Sequence, residues 1–163
     1  DSGTGWPSFT RPIDPAAVRC ARGNLAGIPG LAGVLQGDLY GPLPDSLAGR
    51  VDLLLANAPY VPSGSIRLMP PEARLYEPRL ALDGGLDGLD VLRRIVAGAK
   101  RWLAPGGRLL VETSRSQTPA SVAAFERHGL AARIVTSDEL DATVVIGWPA
   151  KPGSRDNQSG AGH

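Results

Sequence analysis

The chain is poor in several residue types, and each shortage excludes something. Cys20 is the only cysteine in 163 residues, so no disulfide can form within the chain, and a reducing, cytoplasmic compartment is expected. No apolar run reaches the roughly 18 residues that a membrane span needs. No secretory apolar segment is visible either. A surplus of either charge is missing: 17 basic and 16 acidic residues leave +1, without the basic excess usual in a nucleic-acid binder. Lysine is confined to Lys100 and Lys151. The arginine, alanine, glycine and proline surplus looks like GC-rich coding, so the arginine count carries no functional weight. What is abundant is glycine and proline, 21 and 15 residues, or about 22% of the chain. They break helices and exclude an all-helical bundle. No Gly-X-Y period is present, which excludes collagen. With 42% hydrophobic and 20% charged residues the composition is globular. The length suits one domain with a core of its own.

The chain alternates helix and strand. Residues 1–12 lack periodicity and read as a degenerate or unrelated segment. Asp14 can cap, and Pro15 open, a helix with Val18, Cys20, Ala21 and Leu25 on its apolar face. Cys20 is expected to pack there. Residues 32–36 read as a short strand. Residues 51–56, VDLLLA, are a near-continuous apolar run, which predicts a strand buried on both faces in a parallel sheet. Residues 57–85 form a long, proline-rich loop with one helical turn near 70–74, and loops of that length are usually functional. Leu86 to Leu103 carry the clearest helical period, through Leu89, Leu92, Ile95, Val96, Ala99 and Leu103. Pro105-Gly106-Gly107 is expected to end that helix. Strands follow at 108–113, 130–136 and 142–148, with a helix at 119–128 between the first two. The reading is a doubly wound α/β domain over residues 13–149, mostly parallel, with an antiparallel last strand and a disordered tail at 150–163.

Sheets of this kind take ligands beyond the carboxyl ends of their strands. The 51–56 strand is followed there by Asn57-Ala58-Pro59-Tyr60. The asparagine can accept an N–H through its side-chain carbonyl. The proline fixes the backbone around it, and the tyrosine can hold a planar group by its face. Together they would grip a planar NH₂ and aim its lone pair. The same four residues also make an ordinary turn. Asp14 alone reads as a helix cap and Asp38 as a turn residue. His128, late in a surface helix, and His163, in the tail, are not expected to be catalytic. No metal is expected.

Three blocks together are more specific: NAPY at 57–60, YEPRLALDGGLDGLDVLRRI at 76–95, and WLAPGGRLLVET at 102–113. They resemble the HemK/PrmC protein-(glutamine-N5) methyltransferases, in the form of a related NAPY-type subfamily. Glu77-Pro78, Ala81-Leu82-Asp83-Gly84 and Asp87-Gly88-Leu89 separate this family from the adenine-N6 and guanine-N2 nucleic-acid methyltransferases that share the tetrapeptide. The resemblance covers about residues 13–148. It implies a class I, Rossmann-like fold and S-adenosylmethionine as methyl donor. The implied acceptor is the glutamine of the GGQ loop of a peptide-chain release factor, with neither membrane nor nucleic acid as partner. By the same resemblance Asn57 would accept from the acceptor amide and abut the donor. The Ala58 carbonyl would be a second acceptor, Pro59 would shape the turn, and Tyr60 would pack on the glutamine or the donor. Asp14 would hold the donor's ribose, and Asp38 with Leu39 would meet its adenine. Catalysis would be mostly positioning.

The family's glycine-rich donor loop is matched only by Asp1-Ser2-Gly3-Thr4-Gly5, nine residues before Asp14, where such folds leave roughly 20. The first strand and helix are therefore expected to be missing or degenerate. The start at Asp1 rather than Met suggests that a longer N-terminal part, including the family's helical domain, is absent. Weak or absent donor binding by this chain alone is the expected consequence. Two rivals stand beside the leading reading: a nucleic-acid amino-methyltransferase, and an inactive methyltransferase remnant.

Overall fold

The computed structural model describes residues 15–26, 34–69 and 79–150, and the chain divides into two compact units, Asp1–Leu47 and Ala48–His163. In the first unit, helix α1 spans Pro15–Leu25, with the proline at its first position. Val18 is buried, Ala21 and Leu25 are half-buried, and these three follow the i, i+3, i+7 stripe of one face. Cys20 corrects the expectation: it is exposed. Two residues on from Val18, it lies across the helix from that stripe. Its sulfur instead accepts a weak bond from the Asn24 amide at 3.7 Å.

Of the strand expected at 32–36, residues 34–36 are not in a strand, and residues 32–33 lie outside the described residues. A strand needs a ladder of backbone bonds to a neighbouring strand, and residues 34–36 belong to no sheet among the described residues. The sequence beyond turns immediately: Gly41 N–H donates to the Asp38 carbonyl at 2.9 Å and Leu43 N–H to Tyr40 at 3.0 Å. A 3₁₀ turn at Asp45–Leu47 follows.

The second unit holds a four-stranded mixed sheet of β1 (Val51–Ala56), β2 (Leu103–Thr113), β3 (Leu130–Ser137) and β4 (Ala142–Pro149), in the order β1-β2-β4-β3. β1 and β2 run parallel, with Leu53 opposite Arg108 and Ala56 opposite Val111. β4 enters antiparallel between β2 and β3, as expected of the last strand. Only the β1–β2 pairing of the three is parallel among the described residues, so the sheet seen is mixed where a mostly parallel one was expected. Among the described residues β1 stands at the sheet edge and is not buried on both faces: Leu53 and Leu55, on one face, are 57% and 67% exposed. Its apolar run has a strand neighbour on one side only among the described residues.

Between β1 and β2 lie a one-turn helix α2 (Arg79–Leu82) and helix α3 (Asp90–Trp102). The helical turn expected near 70–74 lies outside the described residues; a 3₁₀ turn stands at Ile66–Leu68. α3 starts four residues later than its periodicity suggests. Asp87 Oδ1 takes the Leu89 N–H at 3.1 Å, and Gly88 has φ +80°, so residues 86–89 form a turn. The helix passes directly into β2 at Leu103, which leaves Pro105-Gly106-Gly107 inside the strand instead of ending the helix. The register of β1 on β2 slips beside them.

Helix α4 (Thr118–Arg127) packs beside α3 and against β3 and β4. The core is one face of the sheet, Leu109, Val111, Thr143 and Val145, under Leu92, Val96, Ala99, Ala124 and Phe125. Gly147 on β4 accommodates the Phe125 ring: a Cβ there would collide with it. The buried hydroxyls of Thr113 and Ser121 are paired at 3.2 Å, and Ser121 donates onward to the Gln117 carbonyl at 3.0 Å.

Candidate functional site

At the carboxyl end of β1, Asn57, Ala58, Pro59, Tyr60 and Val61 line a cavity of about 320 Å³, closed on the other side by Ala81 and Leu82 of α2. Asn57 is exposed, Ala58 is buried, and Pro59 and Tyr60 are half-buried. A polar amide thus stands beside a wall of small apolar groups, which suits a flat, partly polar ligand.

A short parallel ladder fixes this loop. Val61 N–H donates to the Leu82 carbonyl at 3.0 Å, Gly84 N–H to Val61 at 2.9 Å, and Ser63 N–H to Gly85 at 2.9 Å. Asp83 adds side-chain bonds: its Oδ1 accepts the Ser63 hydroxyl at 2.6 Å and the Gly85 N–H at 3.0 Å. Ala81 and Leu82 are therefore the second wall of the site, and Asp83 and Gly84 beside them tie it to the first.

A third loop, after β2, joins the first two. The Gln117 amide donates to the Tyr60 carbonyl at 2.8 Å and to the Asp87 carbonyl at 2.9 Å, and its Oε1 accepts the Ser114 hydroxyl at 2.6 Å. Gly88 leaves room for this: a Cβ there would strike both the Tyr60 carbonyl and the Gln117 amide, at a φ that favours glycine anyway. Sequence reading missed Gln117. Its partners are 57 and 30 residues away, and a glutamine beyond a strand gives no local pattern. The only available signal was its position just past the carboxyl end of β2.

Asp87 is paired with Arg93, which also reaches Asp90 at 3.2 Å. The Arg93 guanidinium beside it holds the Asp87 carboxyl below the usual carboxylate range, helped by the Leu89 N–H.

Asp38 and Leu39 belong to the first unit, in the turns at 38–43. Leu39 has φ +46°, a left-handed conformation that a leucine seldom takes. Next to it, burial pushes the Tyr40 phenol up. Asp14, Gly3, Gly5, Glu77 and Pro78 lie outside the described residues. His128 caps the end of α4 and is exposed. No group of three or more potential metal ligands occurs among the described residues. No helix among them is long and apolar enough to cross a membrane.

No family model matches the chain. Curated proteins do. The release factor glutamine methyltransferase of Geobacter sulfurreducens is 38% identical over 133 residues, 82% of this chain and 46% of that protein. The ribosomal protein uL3 glutamine methyltransferase of Burkholderia pseudomallei is 40% identical over 114 residues, 68% of this chain and 37% of that one. A 4-amino-L-phenylalanine/4-methylamino-L-phenylalanine methyltransferase of Streptomyces pristinaespiralis is 40% identical over 117 residues, 72% and 39% of the two chains. This chain spans less than half the length of each of these relatives.

Proposed function

Since the chain is related by sequence to the glutamine methyltransferases over less than half of their length, we propose that it carries the acceptor half of a site for S-adenosylmethionine-dependent methylation of a protein glutamine, that of a peptide-chain release factor. The observation that supports this most is the cavity at the end of β1. Two segments singled out in the sequence, Asn57-Ala58-Pro59-Tyr60 and Ala81-Leu82, face each other across it. The related proteins named above differ in acceptor, yet a glutamine amide and a 4-aminophenyl group share one feature, a planar NH₂ on an sp² carbon. The cavity fits that group: apolar walls for the flat part, and an asparagine at the rim for the N–H.

In this reading the Asn57 side-chain carbonyl accepts one N–H of the acceptor amide. The Ala58 carbonyl accepts the other, and the Tyr60 ring covers the flat face. An amide nitrogen is a poor nucleophile, so holding and polarising it is the chain's contribution. When bound, S-adenosylmethionine would supply an electrophilic methyl group on sulfur; the new bond is C–N, the broken one C–S, and the nitrogen loses a proton. Asp14, Asp38 and Leu39 are the residues proposed to hold the donor, and Asn57 also to abut it.

The test is transfer of labelled methyl from S-adenosylmethionine, at about millimolar concentration to allow for weak donor binding, to a release factor, to protein uL3, or to DNA and RNA. Label on the release-factor glutamine supports the reading. Label on nucleic acid alone, or on no acceptor, overturns it.

A further inference from the structure

Three loops meet at the site, and one side chain is bonded to two of them while standing in the third. Gln117 uses both N–H bonds of its amide on main-chain carbonyls, Tyr60 at 2.8 Å and Asp87 at 2.9 Å. The Ser114 hydroxyl fixes the other end of that amide at 2.6 Å, so the group cannot turn without breaking a bond. Ser121 in turn anchors the Gln117 main chain by donating to its carbonyl at 3.0 Å. Ser121 is fully buried and bonded to Thr113, the last residue of β2. A continuous set of hydrogen bonds therefore runs from the end of β2, through α4, to the carbonyl of the last residue in Asn57-Ala58-Pro59-Tyr60.

We infer that Gln117 is a positioning residue, which sets the backbone of Asn57–Tyr60, and hence the acceptor-binding face of the cavity, by holding the Tyr60 and Asp87 carbonyls in one place. This goes beyond the methyltransferase reading in naming a residue outside the cavity wall, and it rests on that reading only for its effect on turnover. The clasp is specific to an amide. A carboxylate of the same shape offers no N–H and sets negative charge against two carbonyl oxygens. Alanine leaves both carbonyls without their donor.

The test compares Gln117→Glu and Ser114→Ala with the parent chain by amide hydrogen exchange, thermal melting and methyl transfer. Loss of one or two hydrogen bonds of ordinary strength predicts that exchange in residues 57–63 speeds up by about tenfold in Gln117→Glu, and less in Ser114→Ala. Exchange in β2, β3 and β4 stays as in the parent, and each variant still melts cooperatively. In the transfer assay kcat falls about tenfold or more, with KM for the acceptor within about twofold, because orientation suffers before affinity does. Unchanged exchange at 57–63 in both variants overturns the inference. So does faster exchange spread evenly over the whole sheet, which would mark a merely structural role. If the parent chain transfers no methyl group, the glutamine reading fails, and the exchange comparison still decides the role of Gln117. If Gln117→Glu does not fold, Ser114→Ala carries the comparison, with unchanged exchange at 57–63 counting against the inference.

Discussion

Asn57 stands exposed where β1 ends, so replacing it disturbs little packing. Asn57→Ala is expected to keep unfolding free energy within about 0.5 kcal/mol of the parent and to abolish methyl transfer; full activity in that variant would remove Asn57 from its proposed role. Gly88 behaves oppositely. Its φ of +80° and the Tyr60 carbonyl pressed against it leave no place for a methyl group. Gly88→Ala should cost about 2 kcal/mol or more in urea unfolding, and a neutral result would contradict the close approach described. These two residues also show what a sequence discloses. Asn57 to Tyr60 were legible because an asparagine, a proline and an aromatic follow a strand whose apolar run is plain. Gly88 was visible as part of a motif, but its reason, contact with a carbonyl 28 positions earlier and a glutamine 29 positions later, has no local trace. Cys20 was misjudged because a helix face was read too wide: one buried valine sets it, and two positions on is the far side.

At the scale of elements, the Asp87–Arg93 pair joins the turn before α3 to its first turn. The folded state holds Asp87 below its ordinary value, so the pair stabilises the fold above about pH 4, the unfolded aspartate range, and the benefit is lost as pH falls through the lowered value. The side chains are 37% and 49% exposed, which keeps the contribution to at most about 1 kcal/mol. Asp87→Asn should flatten the acid limb of the stability curve by that amount and leave pH 7 to 8 unsloped; a parallel acid limb in the variant would refute the pairing. Phe125 is the larger lever. It is wholly buried between α4 and β4, and Phe125→Ala should cost about 3 to 5 kcal/mol, read as a lowered denaturation midpoint. α3 and β4 were legible because their periods of 3.6 and 2 are set by burial against their neighbours; β3, with Leu130 alone buried, carries no such alternation. At 34–36 the expected strand is not seen for the complementary reason: an apolar stretch does not make a strand without a paired neighbour, and the glycine and proline after it favour turns.

Within the second unit, the sheet order β1-β2-β4-β3 places the carboxyl ends of the parallel pair β1 and β2 side by side, and two of the site's three loops leave from there. The α/β class and the reversed last strand were readable from alternating elements. That β1 has a strand neighbour on one side only among the described residues was not, since VDLLLA looks the same in the middle of a sheet as at its border. Nor does composition reveal which segments touch; the ladder between residues 61–63 and 82–85 ties together the two ends of a stretch, 57–85, that reads as one long loop. The glycine and proline surplus thus has a structural use in part, in letting three loops approach within hydrogen-bond distance of one another. The central claim is that Asn57–Tyr60 presents a protein glutamine for methylation. The most direct measurement is mass spectrometry of a release factor incubated with this chain and labelled S-adenosylmethionine at about millimolar concentration, which loads a weak donor site, beside Asn57→Ala. The account predicts one added methyl group on a glutamine side chain with the parent chain and none with the variant. An unmodified release factor, or equal modification by both proteins, would contradict it.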